Sequence, residues 1–234
     1  KNNFRWESSF NISFNRNKIL ALSGDQQNLF NFVSVFTQYN NSPLYLSQVG
    51  QPAGMFYGYI YDGVYQYDDF INANNTYTLK PEIATNGNER STIQPGDIKY
   101  RDLNGDGVVD AYDQAIIGNG MPKHVGGFTN NFRYKNFQLS IFFQWSYGNN
   151  IYNANRLFFE GNTLLVTDLN QYKSYMNRWS PDNQTNANFR AGGQGPAGRH
   201  SSRVLEDGSY LRLKTFSFGY DVPAKYLRRI SMKS

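Results

Sequence analysis

Phe4-Arg5-Trp6-Glu7-Ser8-Ser9-Phe10-Asn11-Ile12-Ser13-Phe14 alternates with a period of two. The even positions read Phe, Trp, Ser, Phe, Ile, Phe, and the odd positions from Arg5 to Asn15 carry only Arg, Glu, Ser and Asn. Successive side chains of a strand point to opposite faces, so the pattern predicts one greasy and one wet side. It is sustained over about 11 residues, and a tilted strand needs about 9 to 11 to cross a bilayer. The expectation is a two-faced strand of spanning length.

The pattern recurs twice. Residues 125–134 and 137–147 are joined only by Lys135-Asn136, a connection short enough to force an antiparallel hairpin. In its second arm Phe137, Leu139, Ile141, Phe143, Trp145 and Tyr147 share one face, and Gln138, Ser140, Gln144 and Ser146 share the other, with Phe142 the exception. A third strand spans about residues 210–222, with Phe216, Phe218, Tyr220 and Val222 opposite Thr215, Ser217 and Gly219, before Pro223 stops it. On strict alternation Arg212 and Lys214 extend this apolar row, which puts that end of the strand at headgroup level, at a membrane rim.

Composition agrees with two-faced strands. Phe, Tyr and Trp make up 17% of the 234 residues, yet the mean hydropathy is negative, as expected of strands with one apolar and one polar face. No apolar run approaches the roughly 18 residues of a transmembrane helix. A soluble β-sandwich also alternates, but its strands are shorter, its turn signals denser and its buried rows richer in Val and Ile. With no cysteine, neither a disulfide framework nor a thiolate zinc site is available. The opening Lys1-Asn2-Asn3-Phe4 has no Met and no apolar signal core, which suggests a mature, processed or excised segment. The net charge of +5 is concentrated in residues 199–234, where eight Lys or Arg face Glu206, Asp207 and Asp221. Such a stretch suits lipid phosphates at a membrane rim, and no nucleic-acid motif accompanies it.

Between the strands lie two long polar connections, about residues 40–124 and 148–209, rich in Asn, Gly, Asp and Tyr. Loops longer than about 15 residues are usually functional or separately folded. Short turns on one side and long excursions on the other are the asymmetry of outer-membrane barrels. Within the second connection Leu169, Tyr172, Tyr175, Met176 and Trp179 recur at helical intervals, predicting a short amphipathic helix ended by Ser180-Pro181. Residues 15–39 are ambiguous, with 29–39 readable as a strand or as part of a loop base.

One stretch has the spacing of a chemical site. Asp102, Asn104, Asp106, Asp110 and Asp113 fall at positions 1, 3, 5, 9 and 12 of a calcium loop, Gly107 supplies its sharp turn and Val108 its backbone carbonyl. Position 12 is Asp rather than the longer Glu, and Ile98-Lys99-Tyr100 before it reads as a strand, so weaker affinity is expected. The alternative is a metal-free loop held by Asx turns, which the same residues also favour. A structural calcium would stiffen an extracellular loop. Tyr57, Tyr59, Tyr61, Tyr65 and Tyr67 form a second series, suited to stacking on sugars or peptide side chains, or to packing the loop. The two histidines, His124 and His200, lie beside no plausible nucleophile, and no phosphate loop or acid–base pair is identifiable, so no enzyme is expected.

Several of these stretches together carry a family resemblance. Gly50-Gln51-Pro52, Phe56-Tyr57-Gly58-Tyr59, Asp62-Gly63-Val64-Tyr65, Pro95-Gly96-Asp97-Ile98-Lys99-Tyr100, Ile117-Gly118-Asn119, the hairpin around Lys135-Asn136, Arg178-Trp179-Ser180-Pro181-Asp182-Asn183 and Gly208-Ser209-Tyr210-Leu211-Arg212-Leu213-Lys214 run in one order over nearly the whole chain. In this the chain resembles the SusC/RagA family of TonB-linked outer-membrane proteins of Bacteroidota. The resemblance implies an all-β fold: an antiparallel transmembrane barrel segment, one portion of a 22-stranded barrel that encloses a plug, with long extracellular loops. It also implies nutrient import, of glycan or peptide, energised through TonB and lidded by a SusD-like surface lipoprotein. The family's plug, its TonB-contacting segment and its final strand find no counterpart among these residues. The expectation is therefore a C-terminal portion of the barrel, completed by the remainder of the barrel and set in outer-membrane lipid. The competing class is a soluble, calcium-dependent extracellular binding module.

Overall fold

The computed structural model describes residues 4–33, 39, 41–161 and 169–227. In chain order the strands are β1 (Phe4–Ser13), β2 (Asn28–Phe32), β3 (Pro43–Gln48), β4 (Met55–Tyr59), β5 (Tyr61–Val64), β6 (Phe70–Ala73), β7 (Thr76–Leu79), β8 (Ile98–Tyr100), β9 (Gln114–Asn119), β10 (His124–Tyr134), β11 (Phe137–Tyr147), β12 (Asn150–Tyr152), β13 (Leu205–Asp207) and β14 (Tyr210–Tyr220), with short helices α1 (Asn155–Phe159) and α2 (Ala224–Leu227). The chain divides into two compact units, one of residues 1–16, 121–149 and 207–234, the other of residues 17–120 and 150–206.

The first unit is a four-stranded antiparallel sheet in the order β1-β10-β11-β14. Its register lines up the greasy positions across all four strands: Phe10 opposes Phe128, Phe128 opposes Phe143, and Phe143 opposes Leu213. The wet positions align likewise, with Asn11 opposite Gly127, Gly127 opposite Gln144, and Gln144 opposite Arg212. The β10–β11 turn is closed by Lys135 at φ +52°. On the wet face the Gln138 amide donates to Asp221 at 2.8 Å and the Ser140 hydroxyl to Asn131 at 2.7 Å.

Strict alternation misplaces Arg212 and Lys214. The register slips between Phe142 and Phe143, so that Phe142 opposes Thr215 while Phe143 opposes Leu213, leaving Lys214 as one extra residue. Beyond this bulge the parity of β14 is reversed: Leu213 and Leu211 join Phe216 and Phe218 on the apolar face, and Arg212 moves to the wet one. The apolar row therefore runs the full length of the strand, and the rim position expected from these two cations is withdrawn. Lys214 instead places its ammonium 5.9 Å from the ring centre of Phe142, the one aromatic of β11 that faces the wet side.

No hydrophobic side chain of the described part of this sheet belongs to a buried core. Phe4, Trp6, Phe10, Leu211, Phe216 and Phe218 are all more than half exposed. Among the described residues the greasy row thus has no second layer over it, which is the arrangement of a barrel wall and not of a sandwich. Ser8 and Asn130, opposite one another, are polar positions within it; the Trp6 indole N–H donates to the Asn130 side-chain oxygen at 3.0 Å, satisfying an amide that would otherwise face apolar surroundings.

All the strongly buried hydrophobics among the described residues lie in the second unit. The two long connections are therefore folded structure in their own right. They contribute β3–β9, β12 and β13, which with β2 form a β2-β3-β4-β9 sheet and two-stranded ladders β5-β8, β6-β7 and β12-β13. One cluster gathers Tyr59, Val64, Ile98, Tyr100, Val109, Trp179 and Phe189; a second gathers Tyr65, Phe70, Leu79 and Ile93. The ambiguous segment yields β2, while residues 34–38 of that reading lie outside the described residues.

The amphipathic helix expected near residues 169–179 is absent as such. Only a 3-10 turn, Lys173–Asn177, forms there; Tyr175 and Trp179 are buried, but Met176 is 76% exposed. The Trp179 amide is taken by the Asn188 carbonyl at 2.9 Å, which draws the chain into a long-range contact where a helix would have needed a local one.

Candidate functional site

The loop 102–113 turns inward on its own backbone. Asp102 accepts from the amides of Gly105 (2.7 Å) and Gly107 (2.8 Å), the Asn104 side-chain oxygen from Asp106 (3.0 Å), Asp106 from Val108 (2.9 Å) and Asp110 from Tyr112 (2.8 Å). Asp113, fully buried, accepts from Leu103 and Asp110 at 2.7 Å each, and so ties the loop's two ends together. These are the Asx turns of the metal-free alternative. Among the described residues no group of three or more His, Asp or Glu side chains is placed to hold a metal ion. The donor set nevertheless remains all oxygen, and each carboxylate, with about four lone-pair positions, uses only part of its capacity on these amides.

The tyrosine series is mostly structural. Tyr59 is 6% exposed and Tyr65 fully buried; the Tyr65 hydroxyl donates to the Ala84 carbonyl at 2.7 Å, and burial drives its pKa upward. Tyr61 donates to the Asn186 carbonyl at 2.7 Å. Tyr67 packs against Tyr77 and Trp179, and Tyr57 against Phe30. The rings left partly open to a substrate or partner are Tyr57, Tyr61 and Tyr67.

Sequence reasoning missed a buried polar cluster. Arg203, 7% exposed, donates from one terminal nitrogen to the Glu160 carbonyl at 2.9 Å and to the Asn188 side chain at 2.8 Å, and its guanidinium lies over the Phe189 ring. Glu160 also receives Arg156 at 2.6 Å and the Ser174 hydroxyl at 2.6 Å. Burial would raise the pKa of this carboxyl, but the Ser174 and Arg156 hydrogen bonds outweigh it and the net shift is downward. Arg199 stacks over Tyr59, 4.4 Å from the ring centre, and donates to the Val109 carbonyl at 3.0 Å. Two of the cations assigned from sequence to lipid phosphates are thus engaged inside the second unit. His200, 1% exposed, has the Tyr152 hydroxyl 2.7 Å from its Nδ1. Burial lowers its pKa to about 4 despite an opposing hydrogen bond to the Ser42 backbone. Arg156 is four residues from Glu160, but the contacts Arg203–Glu160, Arg199–Val109 and Tyr152–His200 span 43, 90 and 48 residues, so no local pattern announces them.

No protein-family model matches the chain. Among curated proteins, TonB-dependent receptor P3 of Formosa agariphila is 35% identical over 99% of this chain, and TonB-dependent receptor P26 of the same organism is 31% identical over 94%. TonB-dependent receptor SusC of Bacteroides thetaiotaomicron is 25% identical over 93%. The chain belongs to the SusC/RagA family of TonB-dependent outer-membrane receptors. It spans about a fifth of the length of the curated relatives it matches. A solved RagAB peptide transporter superposes on 95% of this SusC-type chain with a TM-score of 0.66 at 20% sequence identity, covering 21% of that structure. That likeness is one of fold. It makes the β1-β10-β11-β14 sheet a section of barrel wall, not closed within these residues; the family places that wall in the outer membrane.

Proposed function

We propose that this SusC-type segment forms part of the barrel wall and extracellular loops of a TonB-dependent importer of glycan or peptide, working with a SusD-like surface lipoprotein. The observation that carries the reading is the four-stranded sheet whose aromatic face is uncovered while its opposite face is lined by Arg, Asn, Gln and Ser. A soluble binding module would need a layer over Phe10, Phe216 and Phe218, and the described residues supply none.

In this reading the greasy row meets acyl chains and the wet row lines the lumen. The second unit, with its own core, supplies a stiff extracellular surface toward cargo and lipoprotein. Cargo held between lid and barrel is released inward when TonB pulls on a plug that belongs to the remainder of the receptor. No residue here carries out bond chemistry; the relatives are receptors, and the role is scaffold and gate surface. The test is uptake by cells carrying the full-length receptor with residues 96–113 deleted. Loss of uptake with the receptor still in the outer membrane supports a working role for this loop region, and unchanged uptake removes it.

Calcium at the loop is a second element of the proposal. Asp102, Asn104, Asp106, Asp110 and Asp113, with the Val108 carbonyl, would hold the ion, and its contribution would be rigidity. Spacing and donor chemistry support it. Calcium should raise the thermal midpoint of the full-length receptor, an effect that Asp106→Ala abolishes; equal midpoints with calcium and with chelator would remove the ion.

A further inference from the structure

The wet face of the barrel sheet breaks the alternating rule at two places, and the two meet. Phe142 is an apolar ring in a row otherwise made of Gln138, Ser140, Gln144 and Ser146. Lys214 is the extra residue of the bulge opposite it. Bulges cluster where a side chain is re-aimed, and departures from local rules concentrate at functional positions. The Lys214 ammonium lies 5.9 Å from the ring centre of Phe142. The ring itself lies across Gly127, where a Cβ would come within 2.9 Å of it, so the missing side chain makes the room that the ring occupies.

Beyond the bulge, the Arg212 guanidinium sits 5.0 Å from the ring centre of Tyr210. The two-residue turn Lys135-Asn136 closes one end of the sheet and the long connections leave from the other, which makes this the extracellular half. The charges here are unbalanced. In the inner half Arg5 pairs with Glu7 and Arg133 with Asp221. Among the described residues Arg212 and Lys214 have no acidic partner, and from the row of Phe142 outward no carboxylate of the sheet faces their side. A wall with two unmatched cations attracts an anion. Both rings are engaged by cations, and one side of Phe142 is covered by Gly127, so they serve as supports for charge and not as open platforms for stacking a sugar.

We infer that this outer part of the wet face is a contact site for an acidic peptide. Arg212 and Lys214 each take a carboxylate, Phe142 and Tyr210 hold the two cations in place, and Gln144, opposite Arg212, meets the peptide's amides. The two cations are two residues apart on β14, about 6–7 Å along the strand, and an extended peptide presents alternate side chains on one side at the same interval. The site rests on the importer reading and narrows its cargo toward peptides with acidic residues at alternate positions.

The experiment is calorimetric titration of the purified full-length receptor with N-acetyl-Glu-Ala-Glu-Ala-amide, its Gln-Ala-Gln-Ala counterpart and trigalacturonate, an acid sugar. Saturable binding of the acidic peptide is expected, about tenfold weaker for the glutamine peptide and falling with added salt. Trigalacturonate should bind no better than the glutamine peptide. Arg212→Gln combined with Lys214→Gln should remove the preference for the acidic peptide, and Arg5→Gln, on the same face in the inner half, should leave it unchanged. Both cations are exposed, so the double variant should keep its heat-resistant barrel, and the comparison of peptides on the unaltered receptor needs no variant. Equal binding of the two peptides, preference for trigalacturonate, a preference retained in the double variant, or an equal loss from Arg5→Gln would overturn the site. Peptide uptake by intact cells, measured in parallel, separates the two levels: uptake without acidic preference in binding removes the site and leaves the importer standing.

Discussion

Phe216→Arg, compared with Ser217→Arg next to it, tests which face of β14 meets lipid. β14 has 11 residues; at about 3.3 Å per residue it is about 36 Å long, and a tilt of about 45° reduces that to about 25 Å, the height of a barrel's apolar band. Phe216 lies one residue from the strand's centre, about 2 Å from the bilayer midplane on the same geometry. It is 65% exposed in the sheet, so its replacement loses little protein packing and the cost reports what surrounds the ring. Arginine at the lipid-facing midplane costs about 2–4 kcal/mol, against nearly nothing on the lumen side. Denaturant-dependent folding of the full-length receptor into phospholipid vesicles measures both variants. The account expects about 2–4 kcal/mol for Phe216→Arg and less than about 1 kcal/mol for Ser217→Arg. On a water-exposed surface a position this open would tolerate arginine within about 0.5 kcal/mol, and that result, or a larger cost for Ser217→Arg, would refute the assignment.

Other consequences follow from particular contacts. Deleting Lys214 takes out the extra residue while leaving Leu213 opposite Phe143 and Leu211 opposite Trp145 on the apolar face, so the amount of heat-resistant folded barrel on gels should stay nearly unchanged, and a sharp fall would show that Lys214 is not the residue that resets the register. Asp113→Ala removes the acceptor of two 2.7 Å amide bonds, a loss of about 2–4 kcal/mol locally; hydrogen exchange at the amides of Leu103 and Asp110 should accelerate, and unchanged protection would contradict the clasp. Because burial lowers His200 from 6.5 to about 4, its folded state resists protonation. The second unit is then fully stable above about pH 6.5 and loses up to about 3 kcal/mol as pH falls toward 4. His200→Gln should flatten that part of the stability profile, and an unaltered slope would show that another group governs it.

The strands of the sheet were legible because a period of two has one structural meaning when it persists for ten residues, and β1, β10, β11 and β14 fall where that period does. The bulge was legible too, in retrospect. Leu211 and Leu213 are odd, Phe216 and Phe218 even, and the change of parity between them marks the extra residue that strict alternation read as a charged rim. The second unit was much less legible. Its strands run three to six residues, too short for periodicity to separate from chance, and its core joins residues as distant as Tyr59 and Phe189. The loop around Asp113 shows a different limit: the spacing that suits a cation also suits Asx turns, since both need an oxygen every second or third residue. Arg199 and Arg203 counted in sequence as surface charge because nothing local reveals that Val109, Glu160 and Asn188 receive them.

The central claim, that one face of the sheet touches acyl chains and the other water, is tested most directly by spin labels at alternate positions of β11 in the full-length receptor in bilayers. Labels replacing Leu139, Ile141 and Phe143 should relax fastest with lipid-soluble oxygen, and those replacing Gln138, Ser140 and Gln144 with a water-soluble nickel chelate. Equal shielding of both rows from both reagents would instead place the sheet inside a protein core and contradict the account.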